Sequence, residues 1–184
     1  MNTFTYQKAF QLIQNSKSSN PDYDSTQQPC FFKDPSTKNG EIGFETPEVH
    51  KILKNIPISK ELSTLYKVIG NSKIEFYLQN WILMSLNKVN ERYLIYQQHN
   101  RSDIIDFAYI YAGMGHIVVA GMDLKDGKIY YRRDGGSNGW EREDRFKFAC
   151  QYQPEENKKI FFEQWLKDIN NKTAAFDLMN IVGN

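Results

Sequence analysis

Residues 104–150 run IIDFAYIYAGMGHIVVAGMDLKDGKIYYRRDGGSNGWEREDRFKFAC, and this stretch decides the fold. Three β-type segments follow one another in it: Ile104 to Tyr111, His116 to Met122 and Lys128 to Arg133. Gly113 and Gly115 separate the first pair, and Asp126-Gly127 separates the second. Asp-Gly between apolar runs signals a tight hairpin, because both central residues of a type I′ turn need positive φ. A polar, arginine-rich stretch from Asp134 to Arg145 then leads into a further strand, Phe146 to Cys150. Such a meander offers a folded surface, and it carries none of the residue spacings that catalysis or metal binding requires.

Upstream, the apolar spacing predicts helices. Tyr6, Ala9, Phe10 and Ile13 recur at helical spacing after Thr3 or Thr5 as N-cap. Thr46-Pro47 opens a second helix with Val49, Ile52, Leu53 and Ile56 as its stripe, which Pro57 stops. Ser59 caps a third, with Leu62, Leu65, Tyr66 and Ile69 as its stripe and Gly70 at the C-terminal stop. Past Gly70 the period changes to two, with Ile74, Phe76 and Leu78, and Trp81 to Met84 follows a Gln79-Asn80 turn as the second arm of a hairpin. Leu86, Val89, Tyr93 and Tyr96 fit a helix, with strand as the alternative for Arg92 to Gln97. A last helix opens near Pro154 and buries Phe161, Phe162, Trp165, Leu166 and Ile169.

Between the first two helices, Lys17 to Glu45 is rich in Ser, Asn, Asp, Gln, Pro and Gly, the composition of a long loop. Phe31, Phe32 and Phe44 are costly to leave in water, so the loop is expected to anchor through Cys30 to Phe32 against the helical side of the domain. The expected division is an N-terminal helix and polar loop over 1–45, a main domain over 46–170, and a tail or short helix over 171–184.

In this order and spacing the pieces resemble the SUKH superfamily, which groups bacterial toxin-immunity proteins, fungal cell-wall-synthesis regulators and relatives in large DNA viruses. The resemblance runs from Thr46 to Ile169. It is carried by Ile56-Pro57 before a helix ending in Ile69-Gly70, by Ile74-Glu75-Phe76 with Leu83 to Val89, and by Ile105 to Tyr111 with Gly113. Asp123, the Gly127-Lys128-Ile129-Tyr130 return strand, and a terminal helix with Phe161, Trp165 and Leu166 complete it. It implies an α+β fold with helices packed on an antiparallel, meander-type sheet, and a role in binding other proteins. It brings no shared catalytic motif. The residues before Thr46 have no counterpart in that pattern, and the acidic excess of a binder of basic nuclease toxins is absent.

Composition is that of an ordinary soluble globular protein. The chain has 184 residues, 23 Lys+Arg against 22 Asp+Glu, and 40% apolar content. Near-zero net charge argues against nucleic-acid or membrane partners, which favour a basic excess or patch. Two distant cysteines, Cys30 and Cys150, without a secretory start, point to a reducing, intracellular and cytoplasmic setting. The acceptor patterns at Asn100-Arg101-Ser102 and Asn171-Lys172-Thr173 are then expected to stay unmodified. Gly113-Met114-Gly115 lacks the third glycine of a dinucleotide fingerprint, since Val118 stands there. Gly135-Gly136-Ser137-Asn138-Gly139 lacks the ending of a P-loop, and His50, His99 and His116 have no metal-ligand spacing. No cofactor, metal or catalytic residue is therefore expected.

One asymmetry stands out. Arg132, Arg133, Arg142 and Arg145 are four of the chain's six arginines and fall beside Trp140. Arginine and tryptophan are enriched at interface hot spots, because a planar cation and a large ring combine contact area with directional bonding. Tyr131, Arg132, Arg133, Trp140, Glu141, Arg142 and Arg145 are accordingly the expected partner-binding residues. The alternative is that Asp134, Glu141, Glu143 and Asp144 neutralise these arginines locally. Of Tyr109, Tyr111, Tyr130 and Tyr131, alternation is expected to turn about half outward.

The expected function is a non-enzymatic protein-interaction module with a regulatory or scaffold role. Alternatives are an immunity protein that neutralises a nuclease-type toxin, and a virion-associated structural or host-interaction protein. A less favoured one is a metal-dependent enzyme that gathers Asp123, Asp126 and Asp134 at one edge of the meander.

Overall fold

Among the described residues, hydroxyl side chains start four of the five α-helices. Thr5, Thr46, Ser59 and Ser85 each accept a hydrogen bond from the backbone N–H three residues on, satisfying one of the donors a helix start leaves open. They begin α1 (Tyr6–Gln14), α2 (Pro47–Leu53), α3 (Lys60–Ile69) and α4 (Leu86–Gln98). This computed structural model describes residues 5–18, 32–33, 42–43, 46–113, 116–134 and 149–171. Helix α2 stops at Leu53, short of Pro57, and Ile56 is buried from the connecting segment. Gly70 ends α3 in the left-handed conformation, at φ 66°.

The architecture is α+β. Strands β4 (Phe76–Leu78), β5 (Trp81–Leu83), β6 (Ile104–Gly113), β7 (His116–Asp123) and β8 (Ile129–Asp134) form an antiparallel meander in that spatial order. The two-residue β1 (Lys17–Ser18) extends it beside β4, while β2 (Phe32–Lys33) and β3 (Ile42–Gly43) pair separately. The rest of the loop, including Cys30, Phe31 and Phe44, lies outside the described residues. Helix α5 spans Phe162–Asn170. Among the described residues, no helix is long and apolar enough to cross a membrane.

Both faces of the sheet are covered. On one, Trp165 of α5 meets Phe107 edge-on at 4.9 Å and Trp81 at 6.3 Å, and Trp81 stacks on Tyr131 at 5.6 Å. Helices α1 and α3 feed the same core through Ala9, Ile13, Leu62, Leu65 and Ile69. A bulge in β6 between Asp106 and Ala108 sends both Phe107 and Ala108 into that core. On the opposite face, α4 packs with Arg92 and Tyr96 against Asp106.

Three sequence expectations change here. The β7–β8 connection is not a two-residue type I′ turn: Gly127 alone has positive φ, and Asp123 closes a longer loop by accepting from Gly127 N–H and donating to the Lys128 carbonyl. Ala149 and Cys150 lie in a helical turn rather than a strand, and Phe146 to Phe148 fall outside the described residues. Helix α5 begins later than Pro154 suggests. Ile160 first bridges to Ile129, which leaves Phe161 at the N-cap, 67% exposed, with Lys128 above its ring.

One glycine decides how β7 and β8 fit. Gly121 lies between Asp106 and Tyr130 in register, and the Tyr130 ring crosses directly over it. A Cβ at Gly121 would stand 2.2 Å from Tyr130 Cζ. Gly121→Ala is expected to cost roughly 1–3 kcal/mol in urea unfolding, the scale of an overpacked core. In a Gly121→Ala/Tyr130→Ala pair the loss should fall short of the sum of the single losses, since removing the ring removes the collision.

Candidate functional site

The row Asp106–Gly121–Tyr130 on the α4 side of the sheet is the foundation of a buried polar cluster. Asp106 is 0% exposed. One of its carboxylate oxygens accepts from Arg92 Nη2 and Arg132 Nη2, each at 2.9 Å, and from the Tyr96 hydroxyl. The other oxygen receives the Tyr130 hydroxyl at 3.4 Å. Arg92 and Tyr96 reach the same carboxylate because they stand four residues apart on one face of α4. Arg132 arrives from β8, two residues beyond Tyr130, and its second Nη lies 3.6 Å from Asp134. Two cations and two carboxylates thus neutralise one another away from water, which a buried charge requires.

The electrostatics follow from that packing. Burial pushes the Asp106 carboxyl up, but Arg132 and Arg92, aided by the Tyr96 hydroxyl, outweigh it and hold the group below the usual carboxylate range. Burial and the Asp106 charge push the phenols of Tyr96 and Tyr130 upward, so both stay protonated and donate.

Two further ionic groups flank this centre. Arg101 binds the Asp103 carboxylate through Nε at 2.7 Å and Nη2 at 3.3 Å. Its Nη1 donates to the carbonyls of Cys150 and Tyr152. At the far end of the hairpin, the nearly buried Lys159 ammonium sits between Asp123 at 3.0 Å, Asp126 at 2.8 Å and Glu156. Burial lowers an ammonium's pKa, but these three carboxylates outweigh it and raise that of Lys159.

The expected binding residues separate accordingly. Arg132 is only 4% exposed and Tyr131 6%, so neither presents its side chain to a partner. Arg132 is drawn inward by Asp106, and Tyr131 by the Trp81 ring and by Asp168, whose carboxylate accepts its hydroxyl at 2.6 Å. Arg133 is half-buried, and Trp140, Glu141, Arg142 and Arg145 lie outside the described residues. Local neutralisation does hold for Arg132, through Asp134 and chiefly through Asp106. The tyrosines also depart from simple alternation: Tyr109, Tyr130 and Tyr131 are buried and only Tyr111 is exposed, at 64%, because both faces of the sheet are covered.

The carboxylates of the metal-dependent alternative do not converge. Asp123 and Asp126 share Lys159, whereas Asp134 stands opposite Ile117 at the other end of β8. Among the described residues, no group of three His, Cys, Asp or Glu side chains is arranged to hold a metal ion. No motif spacing marks Asp106, Arg92 and Tyr96 as a group, although one signal is present in the sequence. A lone aspartate inside IIDFAYIY must be paired if that strand is buried, and Arg92 with Tyr96 is the matching helical pair.

The sign of the Asp106 shift sets a pH dependence. A carboxylate held below its ordinary 3.8 in the folded protein contributes stability that is complete above that value. The contribution is lost as pH falls through the lower, folded-state value. Asp106→Asn is expected to cost about 3–5 kcal/mol at neutral pH, because it strands buried arginines. Chemical unfolding at a series of pH values should also give a shallower loss below about pH 4 in the variant than in the parent.

Comparison of the chain with protein-family models, with curated proteins and with solved structures finds no match.

Proposed function

We propose that this chain is a non-enzymatic protein-interaction module of SUKH type, with a regulatory or scaffold role. Its binding surface is the arginine-rich stretch beyond β8, with Arg133, Trp140, Glu141, Arg142 and Arg145 as contact residues. Tyr131 and Arg132 support that surface from beneath and do not touch the partner.

The observation that carries this reading is the way the stretch is mounted. The described residues that flank it are Asp134, whose carboxylate faces the buried Arg132, and Ala149, which packs with Tyr96, Ile104 and Tyr130. Both ends therefore rest on the Asp106 side of one sheet. Binding residues commonly sit on connections held by a rigid scaffold, because fixed ends reduce the ordering a partner must impose. The ionisable groups nearest the stretch are already committed to one another, which favours a supporting role for them. A protein partner is the expected ligand, with neither nucleic acid nor membrane.

Affinity purification from the native source with mass spectrometry identifies the partner, and alanine variants test the surface. Arg133→Ala with Trp140→Ala is expected to weaken capture while leaving stability within roughly 1 kcal/mol, the scale of ordinary surface substitutions. Arg132→Ala should instead lower the melting temperature, as expected for loss of a buried ion pair. Unfolding of the Arg133/Trp140 variant would show the stretch to be structural and overturn the proposal. A captured toxin with a nuclease domain would assign the immunity role within the same fold.

A further inference from the structure

Residues Ala149–Tyr152 lie on the Asp106 side of the sheet and are held there mainly by side chains. Among the described residues, no backbone hydrogen bond joins them to β8; the Tyr152 N–H turns back to the Ala149 carbonyl. The ties are four. Arg101 Nη1 donates to the carbonyls of Cys150 and Tyr152. The Tyr152 hydroxyl donates to the Tyr131 carbonyl at 3.1 Å. The Tyr152 ring lies 5.3 Å from that of Tyr130, and Ala149 is buried against Tyr96 and Ile104. The apolar cluster beneath the segment is separate from the main core, so parting from it leaves that core intact.

We propose that Ala149–Tyr152 is a latch that opens as a unit while the sheet stays folded, with Arg101 as its catch. Arg101 is suited to this because it is fixed independently of the segment it holds. Its backbone N–H donates to the Tyr96 carbonyl at 2.8 Å, directly after the left-handed Asn100, and Asp103 orients its guanidinium. A single nitrogen of that guanidinium holds two carbonyls, so its departure frees both together. Opening then bares the rings of Tyr96 and Tyr130 beside the Asp106 cluster. Segments with few backbone bonds to the core are among those that open locally. The latch goes beyond the binding role and operates without a partner.

The test uses the full chain with Cys30→Ser and Cys150→Ser, and with Ala149→Cys as the reporting thiol, since Ala149 is buried. Maleimide labelling is followed at increasing urea below the global transition. The expected result is labelling through an opening that depends only weakly on urea. Arg101→Ala should accelerate it about tenfold or more, the scale of losing charge-assisted hydrogen bonds. Should Arg101→Ala fail to fold, Tyr152→Phe removes only the hydroxyl tie to Tyr131 and should accelerate labelling in the same direction. The latch is overturned if labelling follows the full urea dependence of global unfolding. It is equally overturned if neither variant speeds it, or if the thiol of the parent reacts as fast as a free one.

Discussion

The carboxylate of Asp106 is the constraint to which much of this structure answers. Carried on a buried strand, it can stay charged only if cations and hydroxyls come to it, and four side chains do, two from α4 and two from β8. Helix position, strand register and loop exit are thereby tied to a single group. Arg92 and Tyr96 fix how α4 lies on the sheet. Tyr130 can reach across only because Gly121 has no side chain, and Arg132 brings Asp134 in behind it. A buried cluster of this kind is weak evidence of net stability, since desolvation opposes the attraction between the charges. Its clearer effect is to penalise alternative arrangements, because any of them would strand a charge.

Covering both faces of the sheet has a consequence for function. Aromatic and cationic residues on the meander suggest an adhesive surface when counted along the chain, yet most of those described are spent internally. Tyr130, Tyr131 and Arg132 face packed side chains, and Lys159 quenches the carboxylates at the hairpin end. What the sheet supplies is a mounting: two fixed ends on one side, at Asp134 and Ala149. The proposed interaction role depends on that division between a rigid, neutralised base and the polar stretch it carries.

Much of the fold was legible from local chemistry. The hydroxyl caps at Thr46, Ser59 and Thr5, the Gly70 stop and the three long strands answer to rules that act within a few residues. The expected helix through Tyr96 forms, and strand, the alternative for Arg92 to Gln97, does not, because Arg92 and Tyr96 share a target only at helical spacing. Less of the candidate site was legible. The arginine count near Trp140 drew attention to Arg132 for its neighbours in sequence, whereas its chief partner, Asp106, lies 26 positions away.

The sequence by itself determined where α1 to α4 and β4 to β8 begin and end to within a few residues, and that the meander joins helices in an α+β chain. These features depend on capping, periodicity and turn chemistry, which are local. Only the tertiary structure decided which side chains face water. Tyr131 and Tyr111 both lie on strands of the meander and carry the same phenol, yet one is packed on Trp81 and the other is open. Burial is set by what a second element brings to a residue, and Arg92, which shares the Asp106 carboxylate with Arg132, is coded some forty positions upstream of it.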